Sequence, residues 1–233
     1  MPIVDHKVFK RPVVSTPLWR YTDLPKFVDL LTSRKLWLTN LEVLAADDPY
    51  EGAPGPLQFP HRIWKTIQDV PEDFRAQILA HEQGKSADEA FRLWFMGEEQ
   101  QCIMTQSGRR HFYINCWHAA DHESIAMWKI YRAQGAGIAI VTNGARLETA
   151  LASNADQLFL GEVRYVDPDV IEFGSMNAFD PIMVKGNSYR YEQEIRLVLW
   201  DTKDRHNVLG NYDWNEQSMR YENLIEDPNP LVP

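Results

Sequence analysis

Thiols are scarce: Cys102 and Cys116 are the only two cysteines in 233 residues. That is too few for a disulfide framework or a four-thiolate zinc site. Long apolar runs are lacking too. None approaches a membrane span, and the opening MPIVDHKVFKRPVV carries no apolar signal core. Positive charge is in deficit, with a formal net charge of −9. That balance argues against a protein that grips nucleic acid mainly by neutralising phosphates, while leaving room for a local basic site for a small anion. The chain has no Walker loop, GxGxxG, GxSxG or HExxH pattern, and Gly135-Ala-Gly137 precedes a strand, the wrong context for a phosphate-cradling turn. These absences predict a cytoplasmic, reducing setting with no membrane partner and no metal.

What is present is an ordinary globular composition, 44% hydrophobic and 24% charged, with eight tryptophans. A chain of this length can bury a sizeable core unaided. The aromatic content predicts ring-rich packing and a groove lined by flat side chains.

Along the chain, residues 1–17 read as an arm punctuated by Pro2, Pro12 and Pro17. Leu18 to Thr22 reads as a strand, and Asp23 as the cap of a helix carrying Leu24, Phe27, Leu30 and Leu31 at helical spacing. Lys35 to Thr39 alternates as a strand does. A proline- and glycine-rich loop follows Asp47, and about residues 61–101 carry helical spacing twice, broken near Gly84, as an insertion between sheet elements. Strands are expected at His111–Trp117, Gly137–Thr142, Phe159–Tyr165 and Glu194–Trp200, with helices over Glu123–Arg132 and Ala145–Ala152. Helices grouped between long sheet elements predict an α+β domain over residues 18–210 rather than regular βαβ alternation. The tail, residues 211–233, has polar, helical character.

Four groups of residues invite chemistry. In Tyr191-Glu-Gln-Glu-Ile-Arg196, Glu192 and Glu194 are two apart, so on a strand they share a face with Arg196. Such a carboxylate can bind a ribose hydroxyl and stabilise an oxocarbenium-like transition state; equally, the three charges can neutralise one another at a sheet edge. Arg20, between Trp19 and Tyr21, offers a planar fork for phosphate or ribose, or an ion pair with Glu192 or Glu194. Asp47, Asp48 and Glu51 put three carboxylates in one loop and raise a metal-dependent hydrolase as one alternative, but the ligand spacing of a hard-ion loop is missing and Asp48-Pro49 is a common turn starter. Cys116, His118, Asp121 and His122 lie close together; a buried cysteine packing as a small hydrophobe is the commoner arrangement than a Cys–His nucleophile pair.

Taken in order, these segments resemble a widespread bacterial family, domain of unknown function 2971. The resemblance rests on Leu18–Thr22, Asp47–Glu51, Asn115–His118, Met127-Trp128-Lys-Ile-Tyr131, Gly137–Val141 and Tyr191–Arg196, and covers about residues 18–200. More distantly, the layout is similar to ADP-ribosyltransferase-type domains. That likeness implies split mixed or antiparallel sheets and an enzyme that consumes NAD, either transferring ADP-ribose to a protein or nucleic-acid acceptor or hydrolysing NAD, as a bacterial toxin or antiviral effector. It implies Glu194 and Glu192 as catalytic acids. Arg20, Tyr21, Cys116 and Arg196 would contact a nucleotide-type small molecule, and Trp128 and Tyr131 would wall its ring. Cys116 stands where that family carries a small hydroxyl or aromatic residue. A non-catalytic module binding a nucleotide or a protein through the same cleft is the alternative.

Overall fold

The structure, a computed structural model, describes residues 2–48, 50–53, 63–131, 137–167, 177–201 and 212–223. Strand β1 (Pro17–Asp23) runs into helix α1 (Leu24–Ser33), whose first turn is closed by the Asp23 carboxylate accepting from the Lys26 amide at 2.8 Å. The helix ends at Arg34 in the left-handed region (φ 54°). The alternating Lys35–Thr39 segment yields little strand: β2 is Thr39–Asn40 alone, followed at once by α2 (Leu41–Leu44). Asn40 explains the switch, because its side chain caps α2 through the Glu42 amide at 2.9 Å.

Helices α3 (Glu72–His81) and α4 (Ala87–Ser107) make up the insertion, which runs six residues further than the sequence pattern suggests. Then come β3 (Phe112–Ala119), α5 (Ile125–Tyr131), β4 (Gly137–Asn143), α6 (Gly144–Ala150), β5 (Leu158–Glu162), β6 (Arg164–Val166), β7 (Val184–Gly186), β8 (Glu194–Trp200), β9 (Tyr212–Asn215) and β10 (Arg220–Asn223). Where the expected helical tail is described, over residues 212–223, it is the β9–β10 hairpin instead; residues 211 and 224–233 lie outside the described residues.

The main sheet is antiparallel, in the order β4-β1-β3-β8-β5, with β2 also against β3. The molecule is therefore mixed α+β with antiparallel pairing in its main sheet. One edge of β3 is shared. β1 pairs with its C-terminal end (Leu18↔Ala119, Trp19↔His118) and β2 with its N-terminal end (Thr39↔Ile114, Asn40↔Tyr113). Between them, residues 115–117 have no strand partner on that side, which leaves an open stretch in one edge of β3.

The arm is a misnomer. Ile3 bridges Leu158 in parallel, the Glu162 amide donates to the Lys10 carbonyl at 2.8 Å, and Phe9 is buried in the core beside Phe159. Gly161 makes this approach possible: a Cβ there would lie 2.9 Å from Phe9 Cα. One apolar cluster, around Leu41, Phe112, Ile114, Phe179 and Val198, packs one face of the sheet; another, around Leu18, Trp117, Leu147, Leu160 and Leu197, packs the other. No helix among the described residues is long and apolar enough to cross a membrane.

Candidate active site

Strand register decides which side chains meet. His118 faces Glu194 across the ladder and Cys116 faces Arg196, so all four project from one face. Trp19 pairs with His118, which puts Trp19 and Tyr21 on that face and Arg20 on the reverse. Arg20 nevertheless reaches the same hollow, because the sheet is open beside it. Its Nη1 donates to the Cys116 carbonyl at 3.5 Å, on the unpaired edge of β3, and its guanidinium lies 6.0 Å from the Trp117 ring centroid. The expected ion pair between Arg20 and Glu192 or Glu194 does not form.

The hollow is a cleft of about 600 Å³, a size typical of small-molecule sites. Of the residues expected in the site, Arg20, Tyr21, Cys116, Tyr131, Glu192, Glu194 and Arg196 line it. Trp128 does not. Its ring stands edge-on to Tyr21 at 5.0 Å and its Nε1 donates to Glu123 at 2.9 Å, so it buttresses Tyr21 from behind. Tyr131 supplies the wall instead, stacked 6.2 Å from Tyr21, whose hydroxyl accepts from the Ser124 amide at 2.7 Å.

At the floor sits a charge cluster. Arg196, fully buried, donates from Nε to Glu194 Oε1 at 2.7 Å and from Nη2 to Oε2 at 3.2 Å. Its Nη1 donates to the Ile182 carbonyl at 2.5 Å, and Nη2 lies 2.5 Å from Glu51 Oε1, a contact of charges without hydrogen-bond alignment. Lys185 Nζ meets three carboxylates: Glu192 at 2.7 Å, Glu51 at 3.5 Å and Glu194 at 3.6 Å. Arg196 is thus a buried positioning group rather than a residue that meets a ligand freely. Glu192 is not on the strand: it ends a 3-10 turn, Asn187–Glu192, and Gln193 turns through the left-handed region (φ 41°) before β8 begins. The two glutamates converge through Lys185, not through strand alternation.

The loop of three carboxylates divides its labour. Asp48 Oδ1 accepts from the Tyr50 amide at 3.1 Å, and the Glu51 amide donates to the Asp48 carbonyl at 2.9 Å. Gly52 follows at φ 68°, pressed so closely on Leu41 that a Cβ would meet Leu41 Cδ2 at 2.5 Å. This turn aims Glu51 at Arg196. Both Glu51 oxygens face cations, so the loop carboxylates do not converge on an ion, and no group of three ligating side chains gathers among the described residues.

The environment sets the protonation states. Burial works to raise Glu194, but the attraction and hydrogen bonds of Arg196 overcome it and hold the carboxyl down at about 2. Burial raises Glu192, with Lys185 opposing. Burial also pushes the Cys116 thiol well up, and neighbouring Glu194, to which it donates a hydrogen bond, adds to this, so the environment disfavours the thiolate. Tyr131 is raised to about 12, chiefly by burial. His118 Nδ1 lies 2.6 Å from the Glu192 carbonyl; a carbonyl only accepts, so Nδ1 carries the proton and Nε2 is left for other contacts.

Lys185, Glu51 and His118 complete the cluster, and none of the three is among the residues expected to contact a nucleotide. His118 was visible through its alternation with Cys116 on a strand, and Glu51 through its loop. Lys185 had no signal. Compared with protein-family models, with curated proteins and with solved structures, the chain matches none.

Proposed function

We propose that the chain is an NAD-consuming enzyme of ADP-ribosyltransferase type, releasing nicotinamide and passing ADP-ribose to water or to an acceptor. The observation that carries this reading is an acid-rich, ring-walled cleft. Carboxylates Glu51, Glu192 and Glu194 outnumber Lys185 and Arg196 on its floor, Tyr21 and Tyr131 form the wall, and Arg20, which pairs with none of these carboxylates, lines the cleft as well. NAD has the matching pattern, a cationic pyridinium ring followed by an anionic pyrophosphate. The open side of β3 between β1 and β2 is in keeping with the split sheets of that fold.

In the step that follows, the bond between the ribose anomeric carbon and the pyridinium nitrogen breaks. Its electron pair goes to the nitrogen, which becomes neutral, and positive charge spreads over the anomeric carbon and ring oxygen. Glu194 remains ionised and faces that charge while accepting from the ribose 2′-hydroxyl. Beside the Arg196 bonds and the Cys116 thiol, the carboxylate still has acceptor capacity for one further hydroxyl. Water or an acceptor then bonds to the anomeric carbon, and its proton goes to Glu192, whose raised pKa suits a base. Lys185 and Arg196 hold both acids in place.

The test is nicotinamide release. Glu194→Gln is expected to lose at least about a hundredfold in rate, the scale of removing one electrostatic stabiliser, with ADP-ribose as the other product. Equal rates for wild type and variant would overturn the mechanism. One observation favours a second reading, a nucleotide-binding module without turnover: Arg196 occupies both Glu194 oxygens. That reading expects NAD to raise the melting temperature with no nicotinamide formed.

A further inference from the structure

The open stretch of β3 between β1 and β2 borders cavities on both faces of the sheet. Arg20, Thr22, Lys26 and Trp37 line the main cleft and also a second cavity of about 340 Å³ on the reverse of the sheet, completed by Leu30, Leu36 and Ile140 among others. The two chambers differ in sign. In the front one the acids Asp23, Asp47, Asp48, Glu51, Glu192 and Glu194 outnumber Arg20, Lys26, Lys185 and Arg196, whereas the rear one has Arg20, Lys26 and Lys35 against Asp29. Lys26 is spoken for by Asp23 at 3.1 Å, but Arg20 and Lys35 form no ion pair among the described residues.

Trp37 marks the junction. Its backbone is fixed, since the carbonyl accepts from Asn115 Nδ2 at 2.8 Å, yet its side chain is 72% exposed and no described ring packs on it. Among the described residues a large flat ring is thus left uncovered beside two cations without ion pairs, an uncommon placing for a tryptophan. A nucleobase stacks on such a ring, and its phosphate pairs with the adjacent guanidinium.

We infer that the rear chamber binds the purine nucleoside monophosphate part of a nucleotide, the base lying against Trp37, Leu36 and Ile140 and the phosphate at Arg20 and Lys35. A cavity of this size accepts a ring system with its sugar. The inference rests on the proposed NAD reading for what fills the front chamber: an extended dinucleotide would run past the open stretch of β3, with its pyrophosphate at Arg20.

The experiment is calorimetric titration with adenosine monophosphate and, separately, nicotinamide mononucleotide. Adenosine monophosphate is expected to bind the wild type. Trp37→Ala should weaken it roughly five- to 150-fold, the range for one base–aromatic stack, and weaken nicotinamide mononucleotide less, since Trp37 also borders the front chamber. Lys35→Glu, a reversal of charge on a surface side chain, should weaken adenosine monophosphate as well. Absence of adenosine monophosphate binding to the wild type, or equal binding by both variants, overturns the rear site. The two proposals fail separately. Trp37-dependent binding without nicotinamide release keeps the rear chamber and removes the enzyme. Glu194-dependent release with adenosine monophosphate indifferent to Trp37 does the reverse.

Discussion

Arg196 and Glu194 are two positions apart on β8, and their bonding is the part of the site most legible in the chain, because strand alternation alone puts them on one face. What alternation cannot convey is the company they keep. Glu51 arrives through a turn 145 positions away and Lys185 from a three-residue strand, and between them they make removal of any member costly. Arg196→Met would leave Glu51 and Glu194 buried without their guanidinium. The expected loss at neutral pH is about 3–5 kcal/mol, the scale of breaking a buried ion pair, read from urea denaturation. The pH dependence has a definite sign. Glu194 is held at about 2 against an ordinary 4.5, so its contribution is complete above 4.5 and fades as pH falls toward 2. Wild type should lose stability through that window, and Arg196→Met, whose acids gain by protonation, should close the gap on it. A constant difference from pH 7 to pH 3 would refute the linkage. Lys185 was illegible for a physical reason: a lone lysine beside a glycine looks like any solvated side chain until the tertiary fold surrounds it with carboxylates.

At the level of elements, local signals located β1, α1, β3, α5, β4 and β8 well, since each combines an apolar period with a cap or turn residue at its ends. They failed where a distant partner decides. Lys35 to Leu38 alternates like a strand but has no partner edge, because β3 is met by β1 at one end and β2 at the other. The proline-punctuated N-terminus looked detachable, yet it is a strip of core laid across β5, with Phe9 stacked 5.0 Å from Phe159. Gly161 records that contact. Gly161→Ala would force a Cβ to 2.9 Å from Phe9 Cα and 3.0 Å from its Cβ, and backbone cannot swing aside as a side-chain tip can. A loss of about 1–3 kcal/mol is expected, as for other overpacked sites, measured by thermal or urea unfolding. An unaltered midpoint would mean that the arm lifts off β5 at little cost.

Among the described residues three apolar clusters share no member, and the third includes no residue of the main sheet. It joins the insertion helices to the C-terminal hairpin: Ile67, Val70, Ile78, Ala90, Phe91 and Phe95 are buried, with Trp64, Phe74, Trp94, Trp214 and Met219 packed on them. Neither segment could bury this face alone, since α3 and α4 offer rings to one side and a two-stranded hairpin is marginal by itself. Sequence separation hid the partnership: Trp94 and Trp214 read as a helix residue and a tail residue, whereas the fold packs both on one cluster, with an Arg92–Glu216 pair at 2.8 Å and a Phe95–Trp214 ring contact at 6.5 Å joining helix to hairpin. A lobe with its own core is expected to open locally without unfolding the sheet. Trp214→Ala tests this. The cost should be about 2 kcal/mol, the lower end for a large-to-small change at a half-buried site, or roughly thirtyfold in amide exchange protection across α4, β9 and β10. Protection of β3 and β8, which carry the cleft, should stay at the wild-type level. If β3 and β8 lose protection to the same degree, the lobe and the sheet unfold as one unit, and the insertion is then part of the scaffold that holds Glu51, Glu194 and Arg196 together.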